Sequence, residues 1–427
     1  MMHIALFIVY FLLLCLAITR LRFFNGQIRP AYLVLLFALH AAAGCIHTWI
    51  AFHFYPNHGD IWFFFKESLA LKQALLANPV QFFSGIFFNG EAFNLTDTSK
   101  PLLTVQYNVL EYTNTFLNLL SFNNLYINTL LLSFPVFAGN VALFKVFYAV
   151  YHKPLPALCT LLLPSVLFWT SVVYKDGLFY MAVGFFYYCL LLVRKLFLKK
   201  GILLVICTCI MLLSRANALI TLLPALAFLL LAEKKTISRR LTFSVVIVTV
   251  MIAAIAINVF MPAGILSAVS ERQKDFQSLA GGSRMYLPLL APTAASFLTV
   301  FPVALVNGFF QPLPGSGGKI IYTAFSVELV LIWVIVLFGC WLLIRKKGAM
   351  LSNFDISCLL FTIPALLIMG YMVPFAGAII RYRSIYLPFL LAPLLNVICN
   401  RPAAALHTVD QWLYRNIMLM ETGRKML

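Results

Sequence analysis

The chain has 427 residues, of which 63% are hydrophobic and only 10% charged, with a mean hydropathy of +0.95 and a net charge of +18. A soluble domain keeps about a quarter of its residues charged to cover its surface, so this composition excludes a water-facing globule and requires a lipid-facing chain. The positive charge lies in short clusters between apolar runs, which is the pattern of membrane loops and not of a nucleic-acid surface.

The apolar runs predict an all-α, polytopic integral membrane helix bundle of about 11 transmembrane helices, at roughly 20 residues per crossing plus loops. In chain order the expected spans are 2–19, 31–53, 125–150, 154–173, 177–193, 201–214, 217–232, 241–262, 321–344, 357–380 and 385–399. The pieces 201–214 and 217–232 are short enough to form a tightly bent pair. Residues 1–19 carry no basic start and no small-residue cleavage site, so they read as a retained first span. All nine cysteines fall within apolar spans without metal-ligand spacing and read as packing residues.

Charge predicts the orientation. Arg20, Arg22, Arg29, Lys153, Arg194, Lys195, Lys199, Lys200, Lys234, Lys235, Arg239, Arg240, Arg345, Lys346, Lys347 and the 400–427 tail all fall on one side under this count. That side is expected to be cytoplasmic, which puts the N-terminus outside and the C-terminus inside. The whole of 1–427 then forms a single polytopic membrane domain, with two long outer segments. The first, 54–124, starts with an amphipathic stretch at 61–77 suited to the membrane interface, and its middle, 89–108, reads as loop. The second, 263–320, holds an apolar piece near 291–312 interrupted or bounded by Pro292, Pro302 and Pro312. Counting it as a span would reverse Arg345–Lys347, so a re-entrant or interfacial element is expected.

Several charges on the outer side exceed what a loop needs. Asp60 follows Gly59 at the head of the first outer segment, with His58 before it and Glu67 after it. Lys175 and Asp176 sit in a minimal turn between apolar spans, Arg215 lies in Ser-Arg-Ala-Asn, and Arg381 and Arg383 precede the last span. Arg284 belongs to the second outer segment, and Glu328 lies inside a span. Lys66, Lys72, Glu91, Asp97, Lys100, Glu111, Glu271, Arg272, Lys274, Asp275 and Lys319 are further charges on that side with no role assigned. Positive charge in short outer turns opposes the usual bias, and a bound anion would compensate for it. Plainer roles stand beside these. Asp60 also reads as a helix N-cap, Lys175–Asp176 as a turn ion pair, Arg215 as a snorkelling side chain, and Glu328 as a hydrogen-bonding group within the bundle. No second His or Cys accompanies His58 at ligand spacing, and no phosphate-cradling Gly-rich loop is present.

Three short motifs carry a resemblance. They are Gly59-Asp60, the run from Pro164 through Trp169 to Lys175-Asp176-Gly177, and Arg381-Tyr382-Arg383 followed by Pro388. Through the first two the chain resembles the polytopic GT-C-fold glycosyltransferases that use polyprenyl-phosphate sugars, among them protein O-mannosyltransferases and the aminoarabinose transferase of lipid A, and the third is similar to sugar-polymer membrane enzymes more broadly. The resemblance implies an enzyme of hexosyltransferase type in a bacterial inner membrane, acting at its outer face in cell-envelope glycan or glycolipid assembly. Asp60 would be the catalytic base. Lys175, Asp176, Arg215, Arg284, Arg381 and Arg383 would hold the lipid phosphate, with His58, Glu67 and Glu328 secondary. The implied partners are a polyprenyl-phosphate-linked sugar, a glycan, lipid or protein acceptor and membrane lipids, with no nucleic acid. No cofactor is obligatory, and a divalent cation is compatible.

Three other readings remain open on the sequence, one of them a purely structural membrane subunit that serves as an assembly partner, which leaves the outer cations unexplained. The arginines also resemble those of O-antigen-type glycan polymerases and ligases, in which case Asp60 is structural. A lipid-linked-sugar flippase or other transporter would show charges along the bundle interior and a two-half repeat, whereas Glu328 is the one mid-span acid and no repeat is found.

Overall fold

A computed structural model describes residues 1–54, 59–87, 101–193, 197–234, 237–260, 264–314, 320–345, 351–401 and 405–419. Among them every regular element is a helix, and β pairing is limited to two isolated bridges, Ile28 with Met418 and Arg284 with Phe375. The helices run α1 (Met2–Arg20), α2 (Pro30–Phe54), α3 (Asp60–Ala77), α4 (Pro79–Phe87), α5 (Pro101–Ser121), α6 (Leu125–Tyr151), α7 (Pro154–Leu162), α8 (Pro164–Thr170) and α9 (Lys175–Leu191). They continue as α10 (Phe197–Ala232), α11 (Arg239–Phe260), α12 (Ile265–Ser278), α13 (Ala294–Phe310), α14 (Ile320–Arg345), α15 (Asn353–Met372), α16 (Ala376–Ser384), α17 (Leu387–Cys399) and α18 (Ala405–Asn416).

Seven of these, α1, α2, α6, α10, α11, α14 and α15, are long and apolar enough to cross a membrane, and the α16–α17 pair, bent by 58°, makes eight if it is one span. The chain is thus a polytopic membrane helix bundle. The difference from the expected eleven has local causes. The run 154–173 breaks at Leu163 before Pro164, because the residue before a proline is driven out of the helical region. α9 has 17 residues, just short of a full crossing. The pieces 201–214 and 217–232 belong to one helical run with a non-helical residue, Arg215, inside it. In the first outer segment, helix α5 already starts at Pro101, where the 89–108 stretch reads as loop from its sequence. Pro at the first helical position sets φ and sacrifices no hydrogen bond.

The chain forms two compact units, Met1–Ala216 with Val409–Leu427, and Asn217–Thr408. The first is built around α6, whose apolar window is 83% buried, so it is hydrophobic on all sides rather than along one stripe. Gly139 of α6 faces Gly184 of α9 so closely that a Cβ at either would collide with the other helix's backbone, as in small-residue membrane crossings. A buried amide network locks α3 to α5 and α6. Asn118 donates to Ser68 Oγ (2.9 Å), and Asn128 donates to Asn118 Oδ1 (2.7 Å). Lys72 closes the far end on the Asn118 carbonyl (2.9 Å).

In the second unit the 291–312 piece is helix α13, packed on α15. Gly308 and Gly370 allow the close crossing. Asn307 ties the pair by donating to the Gly370 and Val373 carbonyls, each at 2.9 Å. α15 starts in a capping box in which Ser352 and Asp355 each accept the other's backbone N–H.

Candidate functional site

In the first unit the charges gather at the start of α9. Lys175 and Asp176 are its first two residues, so both lie at the positive end of the helix dipole. Asp176 is 1% exposed, and Arg215 Nη2 reaches its Oδ1 at 2.5 Å. Arg215 is the point where α10 leaves helical geometry (φ −152°, ψ 78°). Gly177 is required here, because a Cβ would lie 2.6 Å from the Thr170 carbonyl and block the tight return of the chain. Two hydroxyls that flank the pair in sequence, Ser171 Oγ and Ser214 Oγ, are buried without a hydrogen-bond partner.

Glu111 of α5 joins this cluster. It is half-buried and interacts electrostatically with Glu67 of α3 and with Lys175. Burial pushes its carboxyl above the ordinary glutamate range, Glu67 adds to the rise by like-charge repulsion, and Lys175 opposes it. The floor is the apolar layer of Phe64, Leu110, Val136, Val173 and Leu178, with Ile210 of α10 packed against it. Beside it His47 stacks on Phe168 at 4.3 Å and meets Trp169 and Tyr174 edge-on at 4.8 and 5.3 Å. Glu67, Glu111 and Lys175 are thus linked electrostatically, and Lys175 adjoins the Asp176–Arg215 pair beside an apolar layer. Such a set can hold an anion and move a proton.

Asp60 lies apart in character. It is exposed and opens α3, where Gly59 at φ 91° is the N-cap and no side chain caps the helix. The N-cap role is therefore taken by Gly59, and Asp60 acts on the helix dipole from the first turn. His58 lies outside the described residues.

In the second unit the predicted residues divide. Arg383 is 2% exposed and turns inward, donating Nη1 to the Gln311 carbonyl at 2.6 Å, so it closes the C-terminal end of α13. Glu328, half-buried on α14, is its electrostatic partner. Arg284 donates to the Gln277 and Leu279 carbonyls at 2.6 Å each and lies over the Phe375 ring. Arg381 lies over Tyr382 at 4.9 Å.

Of the predicted set, the structure gathers Lys175, Asp176, Arg215 and Glu67 in one place and gives Arg383 and Arg284 structural partners. Sequence reasoning left Glu111 and Gln273 without roles. Glu111 carries a faint signal, since it is the one acid in α5 and sits one residue from Leu110 and three from Asn114, on the face packed to α3. Gln273 carries none, being one polar residue in a polar helix. Among the described residues no group of three or more His, Cys, Asp or Glu side chains gathers to hold a metal ion. Comparison with family models, with curated proteins and with solved structures finds no match to this chain.

Proposed function

We propose that this chain is an integral membrane glycosyltransferase that moves a sugar from a polyprenyl-phosphate donor to an acceptor hydroxyl, for cell-envelope glycan or glycolipid assembly. The observation that supports this reading best is the charge cluster at the start of α9, with Glu111 beside Lys175 and the buried Asp176–Arg215 pair. A hydroxyl is a poor nucleophile, so a carboxylate must take its proton as its oxygen bonds to the anomeric carbon and the bond to the phosphate breaks. Half-buried Glu111 is better suited to that task than exposed Asp60. The departing phosphate carries the bonding electrons and needs fixed positive charge. Lys175 and Arg215 supply it, together with the backbone N–H groups of the first turn of α9. Asp176 holds Arg215 in position. Glu67 and Glu111 are the carboxylates that would hold a divalent cation, which would supply positive charge for the departing phosphate, and activity in the presence of a chelator tests that.

The finer topology belongs to the same reading. A continuous helix of 36 residues is about 54 Å long, well beyond the ~30 Å apolar core of a bilayer. The break at Arg215 then makes two short crossings of α10. With α7–α8 as one broken crossing and α9 as another, the count returns to eleven, the N-terminus outside and the C-terminus cytoplasmic in a bacterial inner membrane.

The test is sugar transfer in membranes, with lipid extracts analysed beside it. Glu111→Gln and Lys175→Met each lower transfer by about a hundredfold or more, and a polyprenyl-phosphate monosaccharide accumulates. Wild-type rates in both variants overturn the reading. A second reading, a glycan polymerase or ligase, would rest on Arg215 and Arg381, because Arg284 and Arg383 are engaged by backbone carbonyls. It predicts that lipid-linked repeat oligosaccharides accumulate instead.

A further inference from the structure

We propose that the second unit binds an acidic glycan, a sugar chain bearing carboxylates, on the arginine–aromatic stack of Arg272, Phe276, Tyr382 and Arg381. This goes beyond the glycosyltransferase reading, and it rests on that reading only for the glycan's being a substrate of the same protein.

The stack joins α12 to α16. Arg272 lies over Phe276 at 4.7 Å, Phe276 meets Tyr382 at 6.3 Å, and Arg381 lies over Tyr382 at 4.9 Å. Arg381 Nη2 also donates to Tyr382 Oη at 3.1 Å. A guanidinium held by its face on a ring keeps its N–H fork in the plane, the geometry a carboxylate meets bidentately. Asp275 stands 3.5 Å from Arg272 in a partly exposed pair, which compensates it weakly.

The platform is fixed by buried contacts. Gln273, next to Arg272, is fully buried and donates to the Pro288 and Tyr371 carbonyls at 2.9 Å each while accepting the Leu290 N–H at 2.8 Å. Met285 N–H donates to the Pro374 carbonyl at 2.7 Å, and Ala376 N–H donates to the Ser283 carbonyl at 2.9 Å. Arg284 over Phe375 completes the clamp. Tyr286, on this clamped segment, is 84% exposed, and an exposed ring offers a stacking face for a sugar.

Charge selects the ligand's sign. The end of the unit that carries the stack holds Arg272, Lys274, Arg284 and Arg381 against Glu271 and Asp275. It lies away from the basic end marked by Arg239 and Arg345, so the usual bias of membrane proteins disfavours cations there unless an anion repays them.

The experiment measures binding of a uronic-acid oligosaccharide, and of the same oligosaccharide with its carboxyls reduced, to the full chain in zwitterionic lipid nanodiscs. The acidic form binds, the neutral form binds at least about tenfold more weakly, and affinity falls with salt. Arg272→Gln with Arg381→Gln weakens the acidic form about tenfold or more, and the paired Arg→Lys variants recover part of it. Equal binding of the neutral form, no binding of either, or an unaffected double variant overturns the proposal. Loss of glycan binding in anionic-lipid nanodiscs also overturns it, because a headgroup phosphate then owns the stack. Lys175→Met separates the two readings. Retained transfer in that variant sinks the donor site of the first unit, while glycan binding is read independently of it.

Discussion

Asp176 and Arg215 are joined by a 2.5 Å ion pair that links the first turn of α9 to the non-helical residue of α10. The carboxylate is almost wholly buried and the guanidinium is about a fifth exposed. A buried ion pair is not in itself strongly stabilising, because desolvation offsets attraction, but breaking one side strands a charge. Its value here is geometric. It fixes where α10 breaks and where Arg215 stands relative to Lys175.

Removing one member of that pair is therefore costly. Arg215→Ala takes the guanidinium away from the buried Asp176 carboxylate and destabilises the chain by ~3–5 kcal/mol, read as a large fall in melting temperature in detergent. Asp176→Asn combined with Arg215→Gln restores much of the lost stability. Equal losses in the single and double variants would show that the pair is not the cause.

Glu111 predicts a pH dependence with a definite sign. Its carboxyl is raised above the ordinary glutamate value of 4.5. Below that value both folded and unfolded chains hold the proton. As pH rises through the window between the ordinary and the raised value, the unfolded chain ionises first, so stability falls with pH. In the proposed reaction transfer needs the ionised base, and it then rises through the raised value. Glu67→Gln moves the acidic limb of the rate profile to lower pH, and Lys175→Met moves it to higher pH. Unmoved limbs would remove Glu111 from the role of base.

The glycine crossings make a packing prediction. Gly184→Ala places a methyl group against the Gly139 carbonyl, and Gly370→Ala places one against that of Ala304. Backbone cannot retreat as a side chain can, so each costs ~1–3 kcal/mol or more and lowers the yield of folded membrane protein. Gly201→Ala, which meets nothing within 4 Å, serves as the control and leaves the yield unchanged.

Gln273→Ala deletes three buried hydrogen bonds and leaves two carbonyls and one N–H without their partner. The expected cost is ~1–3 kcal/mol, felt locally as faster hydrogen exchange in 265–291. Gln273→Glu, which accepts but does not donate when ionised, loosens the segment as well. Exchange that is unchanged in both would show that the clamp is held by the 283–285 and 374–376 pairing alone.

Apolar run length and charge placement determined the class of this protein from its sequence, because hydrocarbon tolerates only internally bonded helices. The seven long helices overlap the runs of 2–19, 31–53, 125–150, 241–262, 321–344 and 357–380 and, as one helix, the two runs 201–214 and 217–232. Sequence also marked Lys175, Asp176 and Arg215 as charges with too little loop around them to be idle. It could not say that Glu111, more than sixty residues before Lys175, shares their surroundings, since that depends on how α5 packs on α3 through Ser68, Asn118 and Asn128. Nor could it distinguish Arg383 from Arg381, two residues apart. One is turned to the carbonyls that end α13 and the other to the face of Tyr382, and on a helix two residues apart means opposite sides. Composition decides what a membrane protein must be made of. Which of its charges meet is decided only when the helices pack, because burial and distance set the strength of every pair.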